Sequence, residues 1–368
     1  MARLQIKGLC KGWDFPVIDR LDLSVEEGEF FVVVGPSGIG KTTLLRLVAG
    51  LERADEGRVL VGGQDITALP PYQRKVAMTF ESYALYPHLT VFENIASPLR
   101  ARRLDKDTIR KRVEAVAKLL RIDPLLDRRP GEVSGGQKQR TALGRTLVAE
   151  PEVFLLDEPI SHLDAKIRHE LRRQFHDLEE LRRVATLYVT HDYAEALSLG
   201  DRIGVMGAGG LAQIGGAREI FERPVSLFVA QHLGQPSINV IPAALTERDG
   251  SLHVRAEDAQ LTLPVAERHR RTLATRPEPG LTLGVRPQHV RVVANGEAPP
   301  HASLVDARVE IFEALGSTGV LVAESEGVRM TALTSPNDLY GHGEAVRLAL
   351  QPERFLYFDA RSGANLMA

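Results

Sequence analysis

The sequence predicts an α/β domain built on a mainly parallel sheet, followed by an all-β domain. Two observations carry this. Two short runs are apolar almost throughout, Glu29–Val34 (EFFVVV) and Val153–Leu156 (VFLL), and each leads into turn and helix signals. Runs of that kind suit strands buried on both faces of a parallel sheet. After about Gln235 the character changes, and short strand-like runs recur between Gly, Pro, Asn and Asp. At 368 residues the chain has the length of two or three ordinary domains.

Leu4–Leu9 and Val17–Leu23 read as short strands, and Glu29–Val34 as the first fully buried one. A Gly-rich turn and the helical pattern Thr42–Ala49 follow, then strand-like Arg58–Val61 and Val76–Phe80. From about Phe92 to Ala149 the pattern is mostly helical, broken by loops around Asp123–Ser134. That stretch interrupts the strand–helix alternation and reads as a separate subdomain. Val153–Leu156, the long polar helix Ala165–Arg183, the strand Ala185–Val189 and a helix from Tyr193 restore the alternation. Beyond Gln235 the strand-like runs are Leu252–Arg255, Leu261–Pro264, Gly284–Val293, Arg308–Phe312, Val320–Ala323, Val328–Ala332, Ala345–Leu350 and Arg354–Phe358. They fit a small barrel or a sandwich. Arg268–Arg271 (RHRR) reads as a solvated charged face, and no solenoid-type repeat is present.

Composition sets limits. Hydrophobic residues make up 43% and charged residues 26%, which excludes collagen-like, low-complexity and disordered chains. Lys+Arg is 46 against 48 Asp+Glu, so a net charge of −2 gives no support for binding nucleic acid or anionic membrane through bulk charge. Cys10 is the only cysteine, so there is no intrachain disulfide and no cysteine-based metal site. This fits a reducing compartment. The opening MARLQIKGLC lacks the apolar core of a signal peptide, and no run reaches the roughly 18–20 apolar residues of a membrane helix. The expectation is a cytoplasmic or peripheral protein that reaches any membrane through a partner.

Three motifs carry chemistry. Gly35-Pro36-Ser37-Gly38-Ile39-Gly40-Lys41-Thr42 fits G-x-x-x-x-G-K-[ST], directly after a buried strand and at the opening of a helix. Such a loop turns backbone N–H groups around phosphates, and the helix N-terminus adds partial positive charge. Lys41 would reach the β- and γ-phosphates, and Thr42 would offer its hydroxyl to Mg²⁺. In Val153–Glu158 an apolar strand ends in Asp157, which suits a Mg²⁺ ligand, and Glu158 could act as general base on the attacking water. Alone, that ending marks only the solvent edge of a sheet; beside the phosphate loop it reads as functional. Ser134-Gly135-Gly136-Gln137 precedes the helical run Lys138–Ala149 and is either a second anion site or a simple N-cap.

Together these residues resemble the nucleotide-binding subunit of ATP-binding cassette (ABC) transporters. The resemblance covers residues 1–235. It rests on the Walker A loop Gly35–Thr42, the signature Val133–Gln137, the Walker B strand Val153–Glu158, the D-loop Ser161–Asp164 and the switch histidine His191. It implies an α/β P-loop NTPase fold, with a RecA-like core and a helical subdomain at about 85–150. It also implies a head-to-tail dimer in which Ser134, Gly135, Gly136 and Gln137 act on the partner's nucleotide. By the same resemblance Thr43 and Asp164 join the nucleotide-binding set, and His191 contacts the γ-phosphate. Trp13 stands where the family stacks an aromatic on adenine; a packing Trp is the alternative. Phe228–Asn239, Leu283–His289 and Ala314–Ser317 resemble the maltose and glycerol-3-phosphate type of importer, whose tail (236–368 here) is an OB-like, TOBE-type regulatory domain. The aromatic content of 5% and the absence of basic-aromatic interleaving argue against an oligonucleotide-binding OB fold.

Two positions depart from the family. Glu81 stands at the Q-loop position, where the family has Gln, and puts a carboxylate near the Mg²⁺ and the attacking water. His162 stands in the D-loop, where a small residue or Asn is usual. The implied protein is an ATP-hydrolysing importer subunit on the cytoplasmic face of the membrane. Its partners would be a second copy or a paralogous ATPase, two membrane permease subunits, and a periplasmic or extracellular substrate-binding protein. Its solute would be a carbohydrate, polyol or glycerol phosphate ester. The alternative is a weakly hydrolysing regulatory subunit paired with a different active ATPase. One cassette without a coiled-coil insertion argues against a soluble ATPase of DNA repair or translation.

Overall fold

The computed structural model describes residues 2–161, 163–177, 183–257, 259–276, 280–293 and 299–367. The chain divides into two compact units, Met1–Ile220 and Phe221–Ala368.

The first unit holds two sheets. Strands β1 (Ala2–Gly12), β2 (Pro16–Glu26), β4 (Glu56–Val61) and β5 (Gln64–Asp65) form an antiparallel sheet in the order β2-β1-β4-β5. The alternation along β2 buries Ile18, Leu21, Leu23 and Val25 and exposes their neighbours, which is the mark of a sheet covered on one face. This separate sheet absorbs the three runs that the sequence suggests for the main alternation. The second sheet has six strands in the order β10-β9-β3-β8-β7-β6: β10 (Gly210–Gly215), β9 (Arg202–Gly207), β3 (Phe30–Val34), β8 (Ala185–Thr190), β7 (Val153–Asp157) and β6 (Val76–Thr79). All neighbours are parallel except the β9–β10 hairpin. Every residue of β3, β7 and β8 is buried, as continuous apolar strands require. Helix α1 (Lys41–Ala49) joins both sheets in one core through Leu44, Leu45 and Leu47, packed with Leu4, Ile6, Phe31, Val33 and Leu155.

Arg74 is buried beneath α1. It donates to the carbonyls of Leu47 and Val48 in the last turn of the helix, and to those of Thr67 and Leu69. The helical stretch forms α2 (Val91–Ala101), α3 (Lys106–Leu119) and α4 (Gly135–Leu147). Each starts on a side-chain cap: Thr90 with Glu93, Asp105, and Ser134 with Gln137. Gly144 lets α4 approach its neighbours, because a Cβ there would meet Leu120, Ile95 and Val116 side chains at 3.2–3.3 Å. The polar helix after β7 is α5 (Ala165–Asp177).

The second unit contains two five-stranded antiparallel sheets. One runs β13 (Thr262–Pro264), β12 (Ser251–Ala256), β11 (Asn239–Arg248), β14 (Gly280–Val285), β20 (Leu356–Asp359). The other runs β15 (Val290–Val293), β19 (Ala345–Leu350), β16 (Ser303–Ala314), β17 (Gly319–Ser325), β18 (Val328–Thr334). Their inner faces share one core, including Val254, Leu283, Val309, Leu321, Met330 and Tyr357. Gly284–Val293 is not one strand. A 3₁₀ turn at Pro287–His289 ends β14 and sends β15 into the other sheet, since Pro287 offers no N–H to a ladder. In the same way Pro352–Arg354 is a turn and β20 starts at Leu356. Arg268–Arg271 is also not simply a solvated face. It lies in the helix Glu267–Ala274, which buries His269 and Leu273. The helix Leu227–Gln231 belongs to this unit, with Ala230 packed on Ile238 and Phe358.

Candidate functional site

The loop after β3 is shaped by lack of space. An added Cβ on Gly35 would lie 2.7 Å from the Met206 carbonyl oxygen, and one on Gly40 would lie 2.8 Å from Val17 Cγ1. Gly40 also takes φ +110, which a side chain would strain. Lys41 follows at the first turn of α1 and is buried; its Nζ donates to the carbonyls of Gly35 and Pro36 at 2.9 and 3.0 Å. Burial lowers the pKa of this ammonium, while Glu158, Asp157 and Glu81 pull it up, so three carboxylates surround one buried cation.

Asp157 closes β7 and is buried. Its N–H donates to Thr79 Oγ1 at 2.9 Å, and its Oδ1 accepts from the Thr42 hydroxyl at 3.2 Å. Its carboxyl is pushed up to about 6, first by burial and further by the charges of Glu81 and Glu158. Among the described residues no three His, Cys, Asp or Glu side chains converge to hold a metal ion by themselves. The Thr42 and Asp157 oxygens are nevertheless the pair that a hard cation takes beside substrate phosphates.

Glu158 sits at φ +44, a left-handed conformation costing about 1–3 kcal/mol in a non-Gly residue. Several bonds hold it there. Its N–H donates to the Val189 carbonyl, and its own carbonyl accepts from Gln139 Nε2 and Ser161 Oγ, all at 3.0 Å. The result is that Glu158 Oε2 lies 2.9 Å from His191 Nδ1. His191 follows β8, and the loop beyond it is braced from below. Thr190 Oγ1 donates to buried Glu195 and accepts from the Asp192 N–H, each at 2.9 Å, and Tyr188 donates to the same Glu195 carboxyl at 2.6 Å.

Lys41, Thr42, Asp157, Glu158 and His191 therefore converge, although they come from three separated stretches of sequence. Other candidates lie elsewhere. Glu81 is exposed, just past β6, and reaches this cluster through its charge. Ser37 and Gly38 are exposed on the loop, with Pro36, Ile39 and Thr43 half-buried. Trp13 is 59% exposed, with Lys11 Nζ 5.4 Å from its ring, so it is not a packed core tryptophan. Ser134 and Gln137 close a reciprocal cap at the start of α4, and Gly135 is exposed beside them. Gly136 faces Leu163. Asp164 caps α5 through the Ile167 N–H at 2.9 Å. His162 lies outside the described residues. Sequence reading missed Thr79, Gln139 and Arg168. They carry no motif; Thr79 and Gln139 are polar side chains at buried positions, and Arg168 is half-buried on a polar helix.

A phosphate loop opening a helix, a buried strand-end Asp against the loop's Thr, and a Glu–His pair at the mouth define a P-loop nucleotide hydrolase. The family described as "ABC transporter" matches residues 18–161, and that described as "TOBE domain" matches residues 283–358. The sn-glycerol-3-phosphate import ATP-binding protein UgpC of Yersinia pseudotuberculosis is 40% identical over 100% of this chain and 99% of that protein. An uncharacterized ABC transporter ATP-binding protein, YurJ of Bacillus subtilis, is 39% identical over 98% of this chain and 99% of its own. The solved dimer of the ATP-binding cassette MJ0796, in a post-hydrolysis state bound to ADP and Pi, aligns at TM-score 0.55 and 27% identity, covering 58% of this chain and 99% of that one. The chain belongs to the ABC transporter family, as an ATP-binding subunit with a C-terminal TOBE domain. It is an ATPase that drives solute import.

Proposed function

We propose that this chain hydrolyses Mg-ATP at the Lys41–Asp157–Glu158–His191 cluster and, as a head-to-tail dimer, powers uptake of a carbohydrate, polyol or glycerol phosphate ester. The 2.9 Å contact between Glu158 and His191 at the mouth of the phosphate loop carries this reading. Lys41 exchanges its two carbonyl partners for the β- and γ-phosphates. Thr42 and Asp157 hold the Mg²⁺, which offsets phosphate charge, and Glu81 adds a carboxylate nearby. Glu158 takes the proton of the attacking water, and His191 orients Glu158 and the γ-phosphate. Trp13, exposed as it is, stacks on adenine.

The Gly135 and Gly136 amides open α4 and have no acceptor within their own helix, which supports a role on the nucleotide of a second copy. The nucleotide-binding domain is taken to run to about residue 235 and the regulatory domain over 236–368. A groove of about 570 Å³ lined by Ala84, Tyr86, Pro98 and Arg145 is the proposed seat of a permease subunit. Arg145 donates to the Tyr83 and Ala84 carbonyls and holds that surface. Two permeases would place the subunit at the cytoplasmic face of the membrane, with a periplasmic or extracellular binding protein opposite. Among the described residues no helix is long and apolar enough to cross a membrane. The UgpC relatives favour a glycerol phosphate ester as solute.

The test is Mg-ATP hydrolysis by the native membrane complex, wild type against Glu158→Gln. Loss of the general base should cut turnover by about 10²–10⁴-fold. Turnover indifferent to the substitution would assign hydrolysis to a paired, different ATPase.

A further inference from the structure

The C-terminal unit contains a cavity of about 660 Å³, every lining residue of which lies in Phe221–Ala368. That is the size of a small-molecule site and larger than an inorganic ion needs. Its charged lining is net cationic, with Arg223, Arg268, Arg286 and Arg354 against Glu222 and Glu353. Arg286 is 3% exposed; its two terminal nitrogens donate to the Leu233 and Phe221 carbonyls, both at 2.6 Å, and its guanidinium lies 3.7 Å from the Phe221 ring centroid. No carboxylate among the described residues pairs with it, and burial drives its pKa down to about 10. Arg354 is exposed on the same wall and forms no ion pair among the described residues.

His289, half-buried on the same wall, makes no side-chain hydrogen bond among the described residues. Burial and then the charges of Arg354, Arg286 and Arg291 hold its protonation down, with Glu222 alone opposing. On the far wall Glu353 is taken by Arg268 at 2.9 Å. Arg268 also donates to His269 Nε2 at 3.0 Å, which leaves the proton of that imidazole on Nδ1. His269 is 8% exposed, and its Nδ1 has no partner. The two carbonyls and the Phe221 face satisfy the Arg286 guanidinium without neutralising it, so its positive charge favours an anion beside it. Arginine forks suit phosphate oxygens in particular.

We propose that this cavity binds the phosphate group of a small metabolite, seated between Arg286, His289 and Arg354, with the organic part lying along Phe355, Leu356 and Leu366. The site is distinct from the nucleotide site and does not rest on the import reading. Two guanidinia without carboxylate partners match one phosphate dianion, and the apolar wall and the volume leave room for a sugar- or polyol-sized body.

The test is calorimetric titration of the full chain in chloride buffer, with the Walker loop filled by saturating ADP so that phosphate cannot report that site. The probes are glucose 6-phosphate, glycerol 3-phosphate, inorganic phosphate and uncharged glucose. The expected result is one saturable site for a phosphorylated probe and none for glucose. Arg354→Ala and His289→Gln should each weaken it at least about tenfold, with ADP affinity unchanged. Arg354 is exposed, so its replacement tests the site without endangering the fold. Esters binding more tightly than inorganic phosphate support a phosphorylated metabolite. Inorganic phosphate binding as tightly as the esters retains the anion site and overturns the metabolite. No saturable binding by any probe, or binding that both substitutions leave intact, overturns the site itself.

Discussion

Arg168 NH1 lies 3.5 Å from the Asp192 carboxylate. From the same guanidinium NH2 donates to the carbonyls of Ser161 and Leu163 at 3.1 and 3.0 Å. One side chain on α5 thus joins the loop after the Walker B strand to the residue that follows His191. On the proposed head-to-tail dimer, this loop is where a second copy of the cassette would be felt. Arg168 is therefore a positioning residue for the Glu158–His191 contact.

Arg168→Lys keeps the charge and loses the planar fork that serves two carbonyls and a carboxylate at once. Displacements of about 1 Å near reacting groups cost up to about 10²-fold. Turnover of Mg-ATP should fall by about 10-fold or more while KM for ATP changes less than about twofold, since no nucleotide contact is lost. Steady-state hydrolysis by the membrane complex reads both constants. A raised KM with unchanged kcat would remove Arg168 from this role.

Glu81 acts on the site through charge alone: it raises the pKa of Asp157 and opposes the lowering at Lys41. Glu81→Gln deletes one negative charge near the proposed cation site. At a solvent-facing position that interaction is worth about 1 kcal/mol. The Mg²⁺ concentration for half-maximal turnover should therefore rise by about threefold to tenfold, with saturated turnover nearly preserved. A Mg²⁺ titration that superimposes on wild type would show that the carboxylate is a silent replacement for glutamine.

Asp157 predicts a pH dependence of stability in the nucleotide-free protein. Its carboxyl titrates near 3.8 in an unfolded chain and at about 6 in the fold. The folded state therefore holds this proton more tightly, so the contribution of Asp157 to stability is most favourable at low pH and is lost as pH rises from about 4 to about 6. A shift of that size corresponds to about 3 kcal/mol at neutral pH. Asp157→Asn keeps an oxygen for the Thr42 hydroxyl and removes the charge. Its melting transition should lie well above that of wild type at pH 8, and the gap should shrink toward pH 5. An equal gap at both values would place the cost elsewhere.

How much of this was legible beforehand follows from what each feature depends on. β3 and β7 are read directly, because burial on both faces leaves no polar position to blur the pattern. The Gly35–Thr42 loop is read because backbone geometry there admits few residues. Other features depend on contacts between distant segments. The antiparallel sheet of β1, β2 and β4 has strands like any others, and only pairing separates it from the main sheet. Gly284–Val293 looks like one apolar strand until Pro287 is weighed against the ladder. Gln139 and Arg168 carry no motif, and their hydrogen-bond acceptors are main-chain carbonyls, which no residue type announces, with Asp192 as the ion-pair partner of Arg168 from a distant segment.

Asn239 shows the same limit in the C-terminal unit and yields its stability test. At the head of β11 its Nδ2 donates to the Val285 carbonyl at 3.0 Å and to the Thr331 carbonyl at 2.9 Å, while its Oδ1 accepts from the Thr331 N–H at 2.7 Å. Val285 and Thr331 lie in β14 and β18, in different sheets, so one buried amide ties the two layers together. Asn239→Ala strands an N–H and two carbonyls with little access to water, at about 1–3 kcal/mol for each group left unsatisfied. Amide hydrogen exchange reads this locally, without assuming that the two units unfold together. Protection should fall at Thr331 and along β14 and β18, and stay unchanged at β3 and β7 of the first unit. Unaltered protection at Thr331 would mean that the apolar core between the sheets, and not this amide, sets their stability.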